Sequence, residues 1–124
     1  MIAVDSSSWI AYLAGDRGTD TEMVETALAE SQVCLPPVVL TEILSETKLP
    51  KHVRALFRQI PLLAVSEGYW ERTGGLRAKA ISKGRKASLA DALIAQSCLD
   101  HDTPLITRDT DFRSFALVSG LKLL

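Results

Sequence analysis

Four acids in this 124-residue sequence fall where position, rather than abundance, suggests chemistry: Asp5, Glu42, Asp91 and Asp109. Asp5 closes the apolar run Ile2-Ala3-Val4, and Asp109 lies two residues beyond Pro104-Leu105-Ile106-Thr107. Glu42 is set among apolar neighbours in VVLTEIL. Asp91 is the only charged residue of ASLADALIAQSCL, residues 87–99. A carboxylate on so apolar a segment needs a partner unless it is solvated. Brought together, such groups repel, which raises their pKa values and destabilises the fold until a cation joins them. Oxygen donors suit Mg²⁺ or Mn²⁺, and no His/Cys set argues for zinc. A cation so held polarises a phosphoryl oxygen and lowers the pKa of a coordinated water.

Each acid also has a plainer use. Asp5 can cap the segment that follows it, and Ser88-x-x-Asp91 is a capping-box pattern. Asp109 and Asp111 can cap the short helix beginning at DTDF. Glu42, like Glu46 one turn later, can simply face water. The case for a site rests on all four acids reaching one edge of the fold.

The elements that must position them alternate. Strands are expected at residues 2–5, 33–35, 62–65, 104–107 and 121–124. Helices are expected at 6–14, 19–31, 37–47, 50–60, 68–83 and 88–100, with a short one in DTDFRSFA. Pro36-Pro37 suits a helix entry, since proline is tolerated in the first turn. Gly74-Gly75 weakens the helix at 68–83 by about 1 kcal/mol each. This alternation predicts an α/β sandwich with a mostly parallel sheet. Ligands of such sheets bind beyond the carboxyl ends of the strands. Asp5 ends a strand, Asp109 follows one after two residues, and Glu42 and Asp91 fall early in helices, so all four are expected at that edge.

Composition bounds the rest. The chain is 47% hydrophobic and 23% charged, as expected of one globular domain spanning 1–124. No apolar run approaches the ~20 residues of a membrane span, and no signal peptide is evident, so a cytoplasmic location with no membrane partner is expected. Cys34 and Cys98 have neither metal-ligand spacing nor a disulfide framework. The net charge of −1 hides a strong asymmetry. Residues 1–46 carry eight acids against Arg17, whereas residues 47–90 carry ten bases against Glu67 and Glu71. Arg72, Arg77, Lys79, Lys83, Arg85 and Lys86 precede Asp91 directly. They form either a solvated helix face or a track for a phosphodiester backbone. Tyr69 and Trp70 could stack on bases or pack in the core.

The motifs IAVDSSSWI, Glu42 in VVLTEIL, ADALIAQ around Asp91, and LITRDTDF occur in the order of a known family. The chain resembles a PIN-domain ribonuclease of the VapC toxin type, over essentially its whole length. The resemblance implies a three-layer sandwich with a five-stranded, mostly parallel sheet and helices on both faces. It implies Mg²⁺- or Mn²⁺-dependent endonuclease cleavage of RNA, whether tRNA, rRNA or mRNA. Asp5, Glu42, Asp91 and Asp109 then form the catalytic, metal-binding quartet, with Asp111 as an optional fifth acid. Ser7 and Thr107 fall at supporting hydroxyl positions. Arg77, Lys79, Lys83, Arg85 and Lys86 are the candidate RNA-backbone contacts. A homodimer and a cognate VapB-type antitoxin are the implied partners. Water attack in line, leaving 5′-phosphate and 3′-hydroxyl ends, is the expected chemistry.

Two other classes fit less well. A phosphoacceptor receiver domain wants an adjacent acidic pair after its first strand, where this chain has Ser6-Ser7-Ser8. A non-catalytic RNA- or antitoxin-binding module would leave the acids structural.

Overall fold

The structure, a computed structural model, describes residues 1–124. Its centre is a parallel sheet of three short strands: β1 (Ile2–Val4), β2 (Val33–Cys34) and β3 (Leu105–Ile106), in the order β2-β1-β3. Ile2 pairs with Val33 and Ala3 with Cys34 on one side; Ala3 pairs with Leu105 and Val4 with Ile106 on the other. Successive strand side chains point to opposite faces. Ala3 and Val4 are both fully buried, as are Leu105 and Ile106, so the sheet is covered on both faces. That is the usual state of parallel strands, whose crossover helices cover them.

Two further strands were expected, at 62–65 and 121–124. Each is reduced to a single parallel bridge, Leu35 with Leu62 and Leu105 with Leu123. The outer segments hold on by two backbone bonds each: Leu35 N to Pro61 O and Leu63 N to Leu35 O, then Leu105 N to Lys122 O and Leu124 N to Leu105 O. The run 62–65 is half-exposed and preceded by Pro61, which has no N–H for the ladder. Five chain segments therefore lie side by side, but only the inner three are extended enough to count as strands.

Seven helices surround the sheet: α1 (Ser6–Leu13), α2 (Thr19–Ala29), α3 (Pro37–Leu44), α4 (Lys51–Gln59), α5 (Tyr69–Ser82), α6 (Leu89–Asp100) and α7 (Arg113–Val118). A 3₁₀ turn, Thr110–Phe112, precedes the last. α5 runs unbroken through Gly74-Gly75 because Tyr69, Thr73, Leu76 and Ala80 are buried along one face of it. That apolar stripe outweighs the glycine cost. Trp9 of α1 is fully buried, edge-on to Phe57 of α4 with ring centroids 4.7 Å apart.

One polar clamp joins distant parts of the chain. Arg108, directly after β3 and its following Thr107, donates from Nε to Asp20 Oδ2 at 2.8 Å and from Nη2 to Oδ1 at 3.0 Å. Ser8 Oγ of α1 donates to the same Oδ2 at 2.8 Å. The fork matches carboxylate geometry, which strengthens both bonds. Arg108 first, then Ser8, holds the Asp20 carboxyl down at about 2, against its partial burial. A lowered carboxylate pKa stabilises the fold above the ordinary value near 4, and that contribution is lost as pH falls through about 2. Because Arg108 is solvated, Arg108→Ala should lower stability only modestly at pH 7. Urea unfolding should show this deficit shrinking between pH 4 and pH 2.

Candidate metal centre

The acids expected at the carboxyl edge of the sheet arrive there from four different elements. Asp5 follows β1 and stands at the entry to α1, yet its side chain makes no capping bond. Instead Asp5 Oδ2 accepts from Ser7 Oγ at 2.7 Å and from Thr107 Oγ1 at 2.9 Å. The two hydroxyls lie 3.4 Å apart. Asp5 is 4% exposed, so this pair of donors replaces most of its water. Thr107 Oγ1 also accepts from the Asp109 backbone N–H at 3.0 Å, which ties the β1 and β3 ends together.

Asp91 lies in the first turn of α6. Ser88 Oγ caps that helix by accepting from the Asp91 N–H at 3.1 Å, so the capping-box serine is real. The Asp91 carboxylate is half-buried beside Asp109 and Asp111. One oxygen from each of these three lies within 4.8 Å of the others. Burial pushes the Asp91 pKa up to about 6, and the charges of Asp5, Asp109 and Asp111 add to the rise, against a lowering bond from Ser88. Asp109 uses one oxygen, Oδ1, to accept from the Asp111 N–H at 2.9 Å. Its capping role in the 3₁₀ turn therefore orients the cluster rather than competing with it.

Asp111, the optional fifth acid in the sequence, is thus a full member of the tight group. Asp5 stands outside that trio, but its charge acts on Asp91. Glu42 stands further out on α3: it is exposed and accepts from Ser6 Oγ at 2.7 Å, next in sequence to Asp5. A cluster of oxygen donors that is costly when ionised, with no imidazole or thiolate among them, fits a hard divalent cation.

The basic segment divides. Arg72 is bound at the far end of α6, donating to Asp100 Oδ1 at 2.9 Å and Oδ2 at 2.7 Å, roughly 13 Å along the helix from Asp91. Arg77, a candidate RNA contact, is half-buried and donates from Nε to Ala87 O at 2.9 Å, bracing the loop before α6. Tyr69 is buried with its hydroxyl donating to Leu93 O at 2.6 Å, so it is a core residue and cannot stack on bases. Trp70 is 64% exposed. Lys79, Lys83 and Arg85 face water, and Lys86 Nζ lies 3.2 Å from Asp111 Oδ2.

Comparison with known proteins agrees with this architecture. The PIN domain family model matches residues 2–117, and the chain belongs to the PIN domain family. Structurally it is similar to FitAcB from Neisseria gonorrhoeae, with a TM-score of 0.72 at 18% identity, covering 100% of this chain and 96% of that one. It is also similar to VapBC2 from Rickettsia felis bound to a DNA fragment from their promoter, with a TM-score of 0.75 at 17% identity, covering 100% and 98%. A third neighbour is FitAB bound to an IR36 DNA fragment, with a TM-score of 0.69 at 20% identity, covering 100% and 94%. No match was found among curated proteins. No helix is long and apolar enough to cross a membrane.

The raised Asp91 pKa has a measurable consequence. The folded chain holds a proton there that the unfolded chain has released, so stability falls as pH rises from about 4 to about 6. With metal chelated, Asp91→Asn should be more stable than the parent at pH 7. The expected gain is about 1–2 kcal/mol after allowing for solvent around a half-buried group. Urea unfolding in EDTA should show that gain vanishing at pH 4. Destabilisation by Asp91→Asn at pH 7 would instead mark Asp91 as a structural acid.

Proposed function

We propose that this protein is a divalent-metal-dependent endoribonuclease and the toxin half of a toxin–antitoxin pair. The observation that carries the reading is the convergence of Asp91, Asp109 and Asp111, with Asp5 beside them, at the ligand-binding edge of a PIN fold. PIN domains are generally nucleases. Asp91, Asp109 and Asp111 would hold Mg²⁺ or Mn²⁺, with Asp5 completing the inner group and Glu42 acting from the flank. Bound there, the cation would supply Lewis-acid polarisation of the scissile phosphate and a lowered water pKa.

The chain's own residues do the positioning. Ser7 and Thr107 fix one oxygen of Asp5 and leave the other unclaimed by either hydroxyl. The Asp111 N–H fixes one oxygen of Asp109 in the same way. Ser88 fixes the start of α6, and with it the height of Asp91. Partial burial beside other acids leaves the Asp91 carboxylate less hydrated, so a cation would displace less water from it. Cations in the 79–86 segment that face solvent, Lys79, Lys83, Arg85 and Lys86, would attract an RNA backbone.

The antitoxin reading draws on a groove of about 460 Å³ lined by Ile10, Leu13, Ile43 and Leu49 together with Glu42 and Glu46. Apolar walls and two carboxylates suit an amphipathic antitoxin segment carrying basic residues. Assembly as a homodimer and a cytoplasmic location belong to the same reading.

The test is cleavage of end-labelled total tRNA and rRNA by antitoxin-free protein, with Mn²⁺ or with EDTA. Discrete Mn²⁺-dependent cuts bearing 5′-phosphate ends are expected. Asp91→Asn should lower the rate by about a hundredfold or more, since it removes one inner oxygen ligand. Normal cleavage by Asp91→Asn would sink the assignment. A 2′,3′-cyclic phosphate product would exclude water as the nucleophile. Metal-independent RNA binding without turnover would favour the non-catalytic module instead.

A further inference from the structure

Beside the acidic group lies a second, differently charged site. A cleft of about 330 Å³ is lined by Arg85, Lys86, Thr110, Asp111, Arg113 and Ser114, together with the backbone at Gly84, and by no apolar residue. Asp111 belongs both to this cleft and to the carboxylate trio, so the two sites share a wall. Resting on the nuclease reading, we propose that this cleft is a phosphate subsite that holds the RNA phosphodiester neighbouring the one cleaved.

The chemistry of the lining supports a phosphate. Three cations face one acid, and two hydroxyls add donors. Lys86 alone is paired, with Asp111 at 3.2 Å; neither Arg85 nor Arg113 forms an ion pair. Guanidinium groups match phosphate oxygens bidentately, which ammonium groups do not. Ser114 is 3% exposed and lines the cleft. An anion in the cleft would offer the hydroxyls of Ser114 and Thr110 an acceptor.

The cleft is also held in shape. α5 ends in a Schellman turn: Arg85 N donates to Ala80 O at 3.0 Å and Gly84 N to Ile81 O at 2.9 Å. Gly84 has φ +71°, a conformation that other residues adopt only with strain. That turn sends Arg85 and Lys86 back toward the 3₁₀ turn, and the Arg77 bond to Ala87 O braces it from behind. Lys86 is the exchangeable member. A cation taken up by the carboxylates would weaken the hold of Asp111 on the Lys86 ammonium and free it for phosphate. Arg113, outside the basic run in sequence, joins it only in three dimensions.

The test uses the full chain in EDTA, so that binding is read without turnover. Nitrogen-15 spectra would follow the Nε–H groups of Arg85, Arg113 and, as an internal reference on α4, Arg58 during titration with inorganic phosphate. Saturating shifts at Arg85 and Arg113 with one shared dissociation constant, and much smaller ones at Arg58, are expected. Arg113→Gln should weaken binding of a single-stranded RNA hexamer about 3–10-fold and lower the salt slope by about 0.7. Equal shifts at all three arginines, or an unchanged slope in Arg113→Gln, would overturn the subsite. The two readings also fail separately. Arg113-dependent RNA binding by a chain that never cuts RNA in Mn²⁺ would defeat the nuclease and keep the subsite. Metal-dependent cutting with KM unchanged in Arg113→Gln would do the reverse.

Discussion

Repulsion among carboxylates at the start of α6 sets terms that the rest of the fold must meet. Asp91, Asp109 and Asp111 are close enough, and dry enough, that ionising them all is unfavourable: Asp91 is displaced to about 6. A chain under no functional demand would relieve this by one substitution or by turning a side chain to water. Here the opposite is built. α6 is capped by Ser88, the 3₁₀ turn is capped by Asp109, and Asp5 is pinned by two hydroxyls. Each device removes a way for the acids to move apart.

Such a cluster needs a stiff platform, and the parallel sheet supplies one with few residues. Seven residues in three strands suffice because β1 sits between the other two and its neighbours are buried on both faces. The edge where Asp5 and Asp109 emerge is cross-linked independently of the ladder. Thr107 bonds Asp5 on one side and the Asp109 N–H on the other, while its neighbour Arg108 reaches Asp20. Three successive residues, 107 to 109, therefore serve support, clamp and site. Local stiffness of this kind keeps ligating oxygens placed before a cation arrives, which lowers the ordering cost of binding it.

Much of this was legible in the sequence, for reasons that can be named. Asp91 was conspicuous because every neighbour on its helix is small or apolar. Asp5 was conspicuous because it ends an apolar run and Asp109 because it closely follows one, and the carboxyl edge of a parallel sheet is where ligands bind. Asp111 was ambiguous, because Asp-x-Asp before a turn reads equally well as capping; only the folded turn shows that capping by Asp109 brings Asp111 into the group. The Asp20–Arg108 clamp had no local signal at all, since its partners are 88 positions apart. The two outer segments pair in parallel beside the sheet, but a short apolar run does not reveal how little of it will ladder at an edge. Tyr69 and Arg77 were ambiguous for a related reason: aromatic and basic side chains are amphipathic, and burial decides which end is used.

The charge asymmetry along the chain also acquires a spatial meaning. An acidic first third and a basic middle need not oppose one another in three dimensions, and here part of the basic middle is consumed internally. Arg72 pairs with Asp100, and Arg77 bonds a carbonyl. Within residues 72–86, the bases left uncommitted lie toward the C-terminal end of α5, on the side of Asp111. The fold thus sets cations next to carboxylates without neutralising either fully, since only Lys86 and Asp111 meet. A full set of salt bridges there would have been easy to build and would have closed the site to both metal and phosphate. Leaving the charges of opposite sign side by side costs stability but keeps each free for a ligand of the other sign.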